Sequence, residues 1–194
     1  MNDVTSAIKK AFKMKISKKK EKIYGSGNSS RKIVRVLENV DPPNDDLRIR
    51  GKNKGCASFS RGEGIWYEND YVYFTATSGG KSKLGQIWRY KHVDSFKFAG
   101  ELQLFFESED KTILNKPDNI TVAPWGDLVV SEDGKGYDRL IGIKPDGNTY
   151  LIAQNIYNKS EFAGAVFSPN GNILFVNIYD PTMTIAIEGP WATL

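Results

Sequence analysis

One cysteine, Cys56, and one histidine, His92, are all that 194 residues offer of the side chains most used to grip transition metals. A single cysteine excludes an intrachain disulfide and, with no second thiolate, a cysteine-built zinc cluster. His92, in "WRYKH", has no second histidine with which to build a zinc site and reads as a surface residue. No apolar run approaches the roughly 20 residues that a membrane-spanning helix requires. What the chain has instead is ordinary globular apolarity, 40% hydrophobic and 12% aromatic, with 18 glycines to make turns.

The net charge of +4 is unevenly placed. Residues 1–24 hold eight lysines against Asp3 and Glu21, a local +6, which leaves −2 for everything after them. A slightly acidic body argues against specific nucleic-acid binding. The lysine-rich leader is not a secretory signal, because lysines interrupt what should be its apolar centre. Ala7, Ile8, Ala11, Phe12 and Met14 lie at near-helical spacing, and two readings stay open. The leader is a solvated, partly helical tail, or a basic amphipathic helix making weak contact with anionic membrane. "GSGNSS" reads as a flexible linker. We therefore expect a tail and linker over residues 1–30 and one β domain over 31–194.

Beyond residue 31, "KIVRVLENV" is a strand candidate ended by the proline-rich "DPPNDD", and "LRIRGKNKGCASF" reads as basic and irregular. From Gly64 the hydrophobic period becomes two. "GIWYENDYVYFTAT" predicts two strands on a tight turn, with "GQIWRYK" and "GELQLFFES" supplying two more. The grammar recurs in "DNITVAPWGDLVVSED" with "LIGIKPDGNTYLIAQN", and again in "AGAVFSPNGNILFVNIYD" with "TMTIAIEGPW". First strands begin near Gly64, Asn119 and Gly164, so the units are 55 and 45 residues apart. That is the spacing of four-stranded propeller blades, each burying its faces against its neighbours.

The expected architecture is all-β: a partial β-propeller of about three four-stranded blades, the third truncated. Propellers close with about four to eight blades. The open stack is expected to associate with a copy of itself or with a missing half, since bare blade faces are association surfaces. Trp66, Trp88, Trp125 and Trp191 are expected to pack where blades meet.

"SRGEG" places Arg61 and Glu63 around a glycine at the mouth of the first strand. A guanidinium fork matches phosphate oxygens, and a carboxylate suits a hard cation. The pair could equally satisfy each other at a strand end. "SEDG" supplies Glu132 and Asp133, of which only one should face the axis, because adjacent strand residues point to opposite sides. Ordinary turn chemistry is the competing account there. Glu161 of "SEFAG" is one further acid near a loop.

The run of "SRGEGIWY", "GQIWRY", "DNITVAPWGDLVVSEDG", "SEFAGAVFSPNGNILFVNI" and "AIEGPW", from about Val40 to Trp191, resembles the carboxy-terminal half of the PhoX-type alkaline phosphatases, the bacterial DUF839 group. The resemblance implies a six-bladed propeller that hydrolyses phosphomonoesters with calcium and iron ions at the end of its channel. It implies that Arg61 contacts phosphate and that Glu63 binds calcium. Asp118, Glu132 and Asp133 are the further metal ligands it suggests. The family's iron-binding cysteine lies in the amino-terminal half, and Cys56 does not stand at its place, so iron is expected only if that half is supplied. Family members are commonly exported with a twin-arginine signal, which this chain lacks, and localisation stays open. The functional expectation is metal-dependent phosphomonoester hydrolysis once the missing blades are supplied. The alternative is a non-catalytic half-propeller that binds a partner, or a truncated remnant.

Overall fold

The computed structural model describes residues 47–94 and 99–191. The basic leader, the linker, "KIVRVLENV" and the domain boundary expected near residue 30 lie outside the described residues.

The stretch read as irregular contains a short helix, α1 (Leu47–Asn53), in the first of two units that divide after Cys56. Its stop signal is Gly55, at φ 81°. The amide of Cys56 donates to the Gly51 carbonyl and that of Gly55 to Lys52, the paired bonds of a Schellman cap. Arg50 and Lys52 sit in its last turn, where the helix dipole favours positive charge. Two turns are too few to show a clear 3.6-residue period, which is why the sequence hid it.

A second compact unit, Ala57–Leu194, carries three antiparallel sheets. The first runs β1 (Gly62–Glu68), β2 (Tyr71–Ala76), β3 (Gln86–Asp94) and β4 (Ala99–Glu107), each strand paired with the next. The second runs β5 (Pro117–Val122), β6 (Leu128–Glu132), β7 (Arg139–Ile143) and β8 (Thr149–Gln154). The third holds β9 (Phe162–Phe167), β10 (Ile173–Ile178) and β11 (Met183–Glu188). Each sheet is a meander, and the tight turns fall where glycine or asparagine accepts a positive φ. Asn69 and Asp70 make the first, and Gly126, Gly147 and Gly171 make later ones.

Two apolar seams join the sheets. In the first, Ile120, Leu128, Val130, Ile141 and Ile143 of the second sheet pack with Ile87, Trp66, Tyr73 and Phe105 of the first. In the second, Ala165, Leu174, Val176 and Ile178 of the third sheet pack with Leu140, Ile152 and Ala153 of the second. The sheets thus stack face to face in chain order, the arrangement of consecutive propeller blades. Trp66 lies in the first seam, while Trp125 stacks on Trp191 at 5.6 Å beside Phe167 of the third sheet. Trp88 lies on the other face of the first sheet, edge-on to Phe59.

The innermost strands β1, β5 and β9 approach closely through side-chain links. The buried Thr75 hydroxyl accepts from the Gly64 amide at 2.9 Å and donates to the Asp118 carbonyl at 2.7 Å. Thr77 donates to the Pro117 carbonyl, and the Gly164 amide donates to Asn119 Oδ1. Replacing Thr75 with valine keeps the shape but leaves the Gly64 amide without its acceptor. We expect a loss of about 1–2 kcal/mol, read by urea denaturation. A change too small to measure would show that water replaces the hydroxyl.

Candidate functional site

The pairing of each innermost strand is interrupted near its beginning. Register shifts fall between Gly62 and Ile65 in β1, between Pro117 and Ile120 in β5, and in β9 opposite Phe175 and Asn177. Bulges of this kind re-aim side chains at the end of a strand. Here they set the acids of three sheets toward a common place.

Arg61 precedes β1 with φ 54°, a left-handed backbone that few side-chain-bearing residues adopt. It is held there because the Thr77 amide donates to the Arg61 carbonyl and Ser78 donates to Ser60. The guanidinium Nη2 donates to Asp133 Oδ2 at 2.8 Å and to Glu63 Oε1 at 3.3 Å. Asp133 follows β6, and its amide is bonded to the Lys116 carbonyl, one residue before β5. Asp118 belongs to β5, and Glu161 lies just before β9, its carbonyl accepting from the Tyr179 amide.

The electrostatics tie these acids together. Burial pushes the Asp118 carboxyl above its ordinary range, and the charges of Glu63 and Asp133 push it further, against relief from Asn119 and Arg61. Glu161 is likewise raised, first by burial and then by Asp133 and Asp118. Burial also raises Asp138, to about 6, despite the bond it accepts from the Gly134 amide. Arg61 is held charged, chiefly by its bond to Asp133. Arg61 thus holds Glu63 and Asp133 directly and eases the charge of Asp118, while Glu161 joins the group through Asp133 and Asp118.

Glu132 stands apart from this group. It is 2% exposed, and its two oxygens receive Arg139 Nη2 at 2.6 Å and Nε at 2.7 Å, with the Asn115 amide donating at 2.7 Å. Arg139 also donates to the carbonyls of Lys111 and Thr112. Strand alternation required Glu132 and Asp133 to diverge, and they do: Asp133 joins Arg61, while Glu132 fastens the 111–116 loop. Its oxygens are taken by one guanidinium and two backbone amides, so here it fastens the loop, and metal ligation by Glu132 would require those partners to let go. Glu161 had only a weak sequence signal, a lone acid in a loop. Its place becomes visible once β9 is aligned with β5. His92 is exposed and meets Tyr90 at 3.3 Å. Cys56 is exposed with a free thiol.

The donor set of Glu63, Asp118, Asp133 and Glu161 is all oxygen and all acidic, the chemistry that suits calcium or another hard cation. Among the described residues, no three ligating side chains already form a cage around one ion. The fit to calcium thus rests on donor type and on accumulated like charge, with Arg61 as the counter-charge in place.

The chain resembles known proteins in two ways. Residues 37–182 match the family described as "Alkaline phosphatase PhoX". Among solved structures, Pseudomonas fluorescens PhoX in complex with vanadate, a transition state analogue, aligns with a TM-score of 0.55 at 20% identity, over 67% of this chain and 30% of that one. Virginiamycin B lyase from Staphylococcus aureus aligns at 16% identity with a TM-score of 0.39, over 66% of this chain and 41% of that one. No curated protein matches. The chain spans less than a third of the length of the PhoX structure it resembles. With the matched region covering most of the chain and the sheets stacked as blades, the chain belongs to the PhoX alkaline phosphatase family.

Proposed function

We propose that this chain supplies part of a metal-dependent phosphomonoester hydrolase site, active once the remaining blades of the propeller are present. The observation that carries the reading is the meeting of Glu63 and Asp133 on Arg61, with Asp118 and Glu161 close enough for their carboxyls to feel the same negative charge. Arg61 would bind the substrate's phosphate oxygens, exchanging its present carboxylate partners for the incoming anion. Glu63, Asp118 and Asp133 would hold calcium, and Glu161 is positioned to join them. A bound cation supplies charge neutralisation and a water of lowered pKa. Iron belongs to the proposal only with the family's amino-terminal half.

The test is hydrolysis of p-nitrophenyl phosphate with added calcium, before and after chelation. Chelation is expected to abolish turnover, and Arg61→Ala to lower kcat/KM by about 10–100-fold. Activity indifferent to both changes would overturn the reading. Calcium alone should also raise the melting temperature, since it binds only the folded state. Glu63→Gln with Asp133→Asn should remove that rise.

A second reading, a non-catalytic half-propeller acting through a blade face, is favoured by the exposure of Ile65 and Tyr67. A calcium-independent fold without turnover in any assembly would select it.

A further inference from the structure

The three sheets repeat one another residue by residue, and the repeat assigns a task to a face that the described residues leave open. In the second sheet Ile120 pairs with Val130, and Val122 with Leu128. These four side chains form the face that receives the first sheet. In the third sheet the corresponding Ala165, Phe167, Leu174 and Val176 receive the second. The same positions in the first sheet are Ile65 paired with Phe74, and Tyr67 paired with Val72. The ladder continues from Phe74 to Trp88 and Leu104, and from Val72 to Tyr90 and Leu102. The face is apolar across all four strands; Phe59 covers Phe74 and Trp88, yet Ile65 is 68% exposed and Tyr67 64%. An apolar sheet face of this breadth marks an association surface.

The opposite, onward face also repeats. Tyr73 and Thr75 in the first sheet correspond to Val129 and Ser131 in the second, and to Phe175 and Asn177 in the third. In the first two sheets this face docks on the next blade. In the third it carries Phe175 between Val166 and Ala186, with Val166 41% exposed. Among the described residues, no sheet covers the receiving face at one end of the stack or the onward face at the other.

We infer that the receiving face of the first sheet is filled by the third sheet of a second copy of this chain, head to tail. Two such seams close a ring with two-fold symmetry. Three sheets from each copy make six blades, inside the range at which propellers close. Continuity with the two seams already present names the occupant, since the onward faces of the first and second sheets each meet a receiving face of this pattern. This inference rests on packing and does not depend on the hydrolytic reading.

Sedimentation of the full chain over a wide concentration range tests it. A two-chain species is expected. Ile65→Lys with Tyr67→Lys should weaken self-association by about 100-fold or more while leaving the circular dichroism of the sheets unchanged. Because both side chains are already largely exposed, the double variant should still fold. Ile156→Glu, on a loop outside both faces, should leave the pair intact. A chain that stays monomeric at every concentration overturns the inference, as does a pair that survives the double lysine variant. A ladder of ever larger species would also overturn it, since it means the seams do not close. Phosphatase assays on the same samples read the hydrolytic proposal separately: an inactive pair leaves this inference standing, and an active one would show that two copies supply the blades that hydrolysis needs.

Discussion

Glu132→Ala is expected to destabilise the chain by about 3–5 kcal/mol, the largest effect of any single substitution considered. The carboxylate is buried, and it is the acceptor for the Arg139 side chain, the Arg139 amide and the Asn115 amide. Arg139 is itself mostly buried, with 19% of its side chain exposed. Removing the acid takes the acceptor from a guanidinium and two backbone N–H groups in a region with little water. It also releases the 111–116 loop, which Arg139 ties down through the Lys111 and Thr112 carbonyls. Glu132→Gln should fall between, keeping the shape and one acceptor while losing the charge. Urea denaturation measures both. A loss below about 1 kcal/mol for the alanine variant would mean that solvent reaches the pair and that the structural role assigned to Glu132 is wrong.

The second large effect is expected at Gly64. A Cβ added there would lie 2.8 Å from the Ile120 amide nitrogen and 2.9 Å from Asn119 Cα, with the Asp118 carbonyl oxygen nearer still. All three obstacles are backbone, so no side chain can turn aside. Gly64→Ala must push β1 away from β5, opening the first seam at its inner edge. Overpacking of this kind costs about 3 kcal/mol. The displacement also separates Glu63 from Asp118, so, on the calcium reading proposed above, any calcium-induced rise in melting temperature should shrink along with the stability. Calorimetry with and without calcium reads both quantities. A variant as stable as the parent, with an undiminished calcium response, would refute the close approach.

Much of this fold was legible because β meanders write themselves locally. "END", "PWGD", "PDG" and "SPNG" each lie between alternating apolar runs, and each became the turn of a hairpin. The repeat starting near Gly64, Asn119 and Gly164 followed from the same local signals and located all three innermost strands. The third sheet has three strands among the described residues, as its truncated repeat implied. The site was less legible. Arg61 and Glu63 drew notice as charges beside an apolar strand, but strict alternation does not govern them, because Arg61 precedes the strand and a bulge follows Glu63. The partner of Glu132 is seven residues away across a loop, a separation set by how that loop folds. Glu161 carried almost no signal, since a lone acid near a turn has many ordinary explanations. Trp88, expected where blades meet, lies on the face of the first sheet turned away from the first seam, beside Phe59.

The meander connectivity described above bears on how the chain acquires its shape. Each sheet closes through neighbouring hairpins, so its ladder forms by short-range chain closure, which is fast. Only docking one finished sheet upon another joins distant stretches. During synthesis, the Gly62–Glu107 sheet is complete before the Asn119 repeat has been made, and it shelters its apolar side when the next arrives. The nascent chain thus lengthens its core in instalments, with one greasy flank at the growing end protected only when the following module emerges.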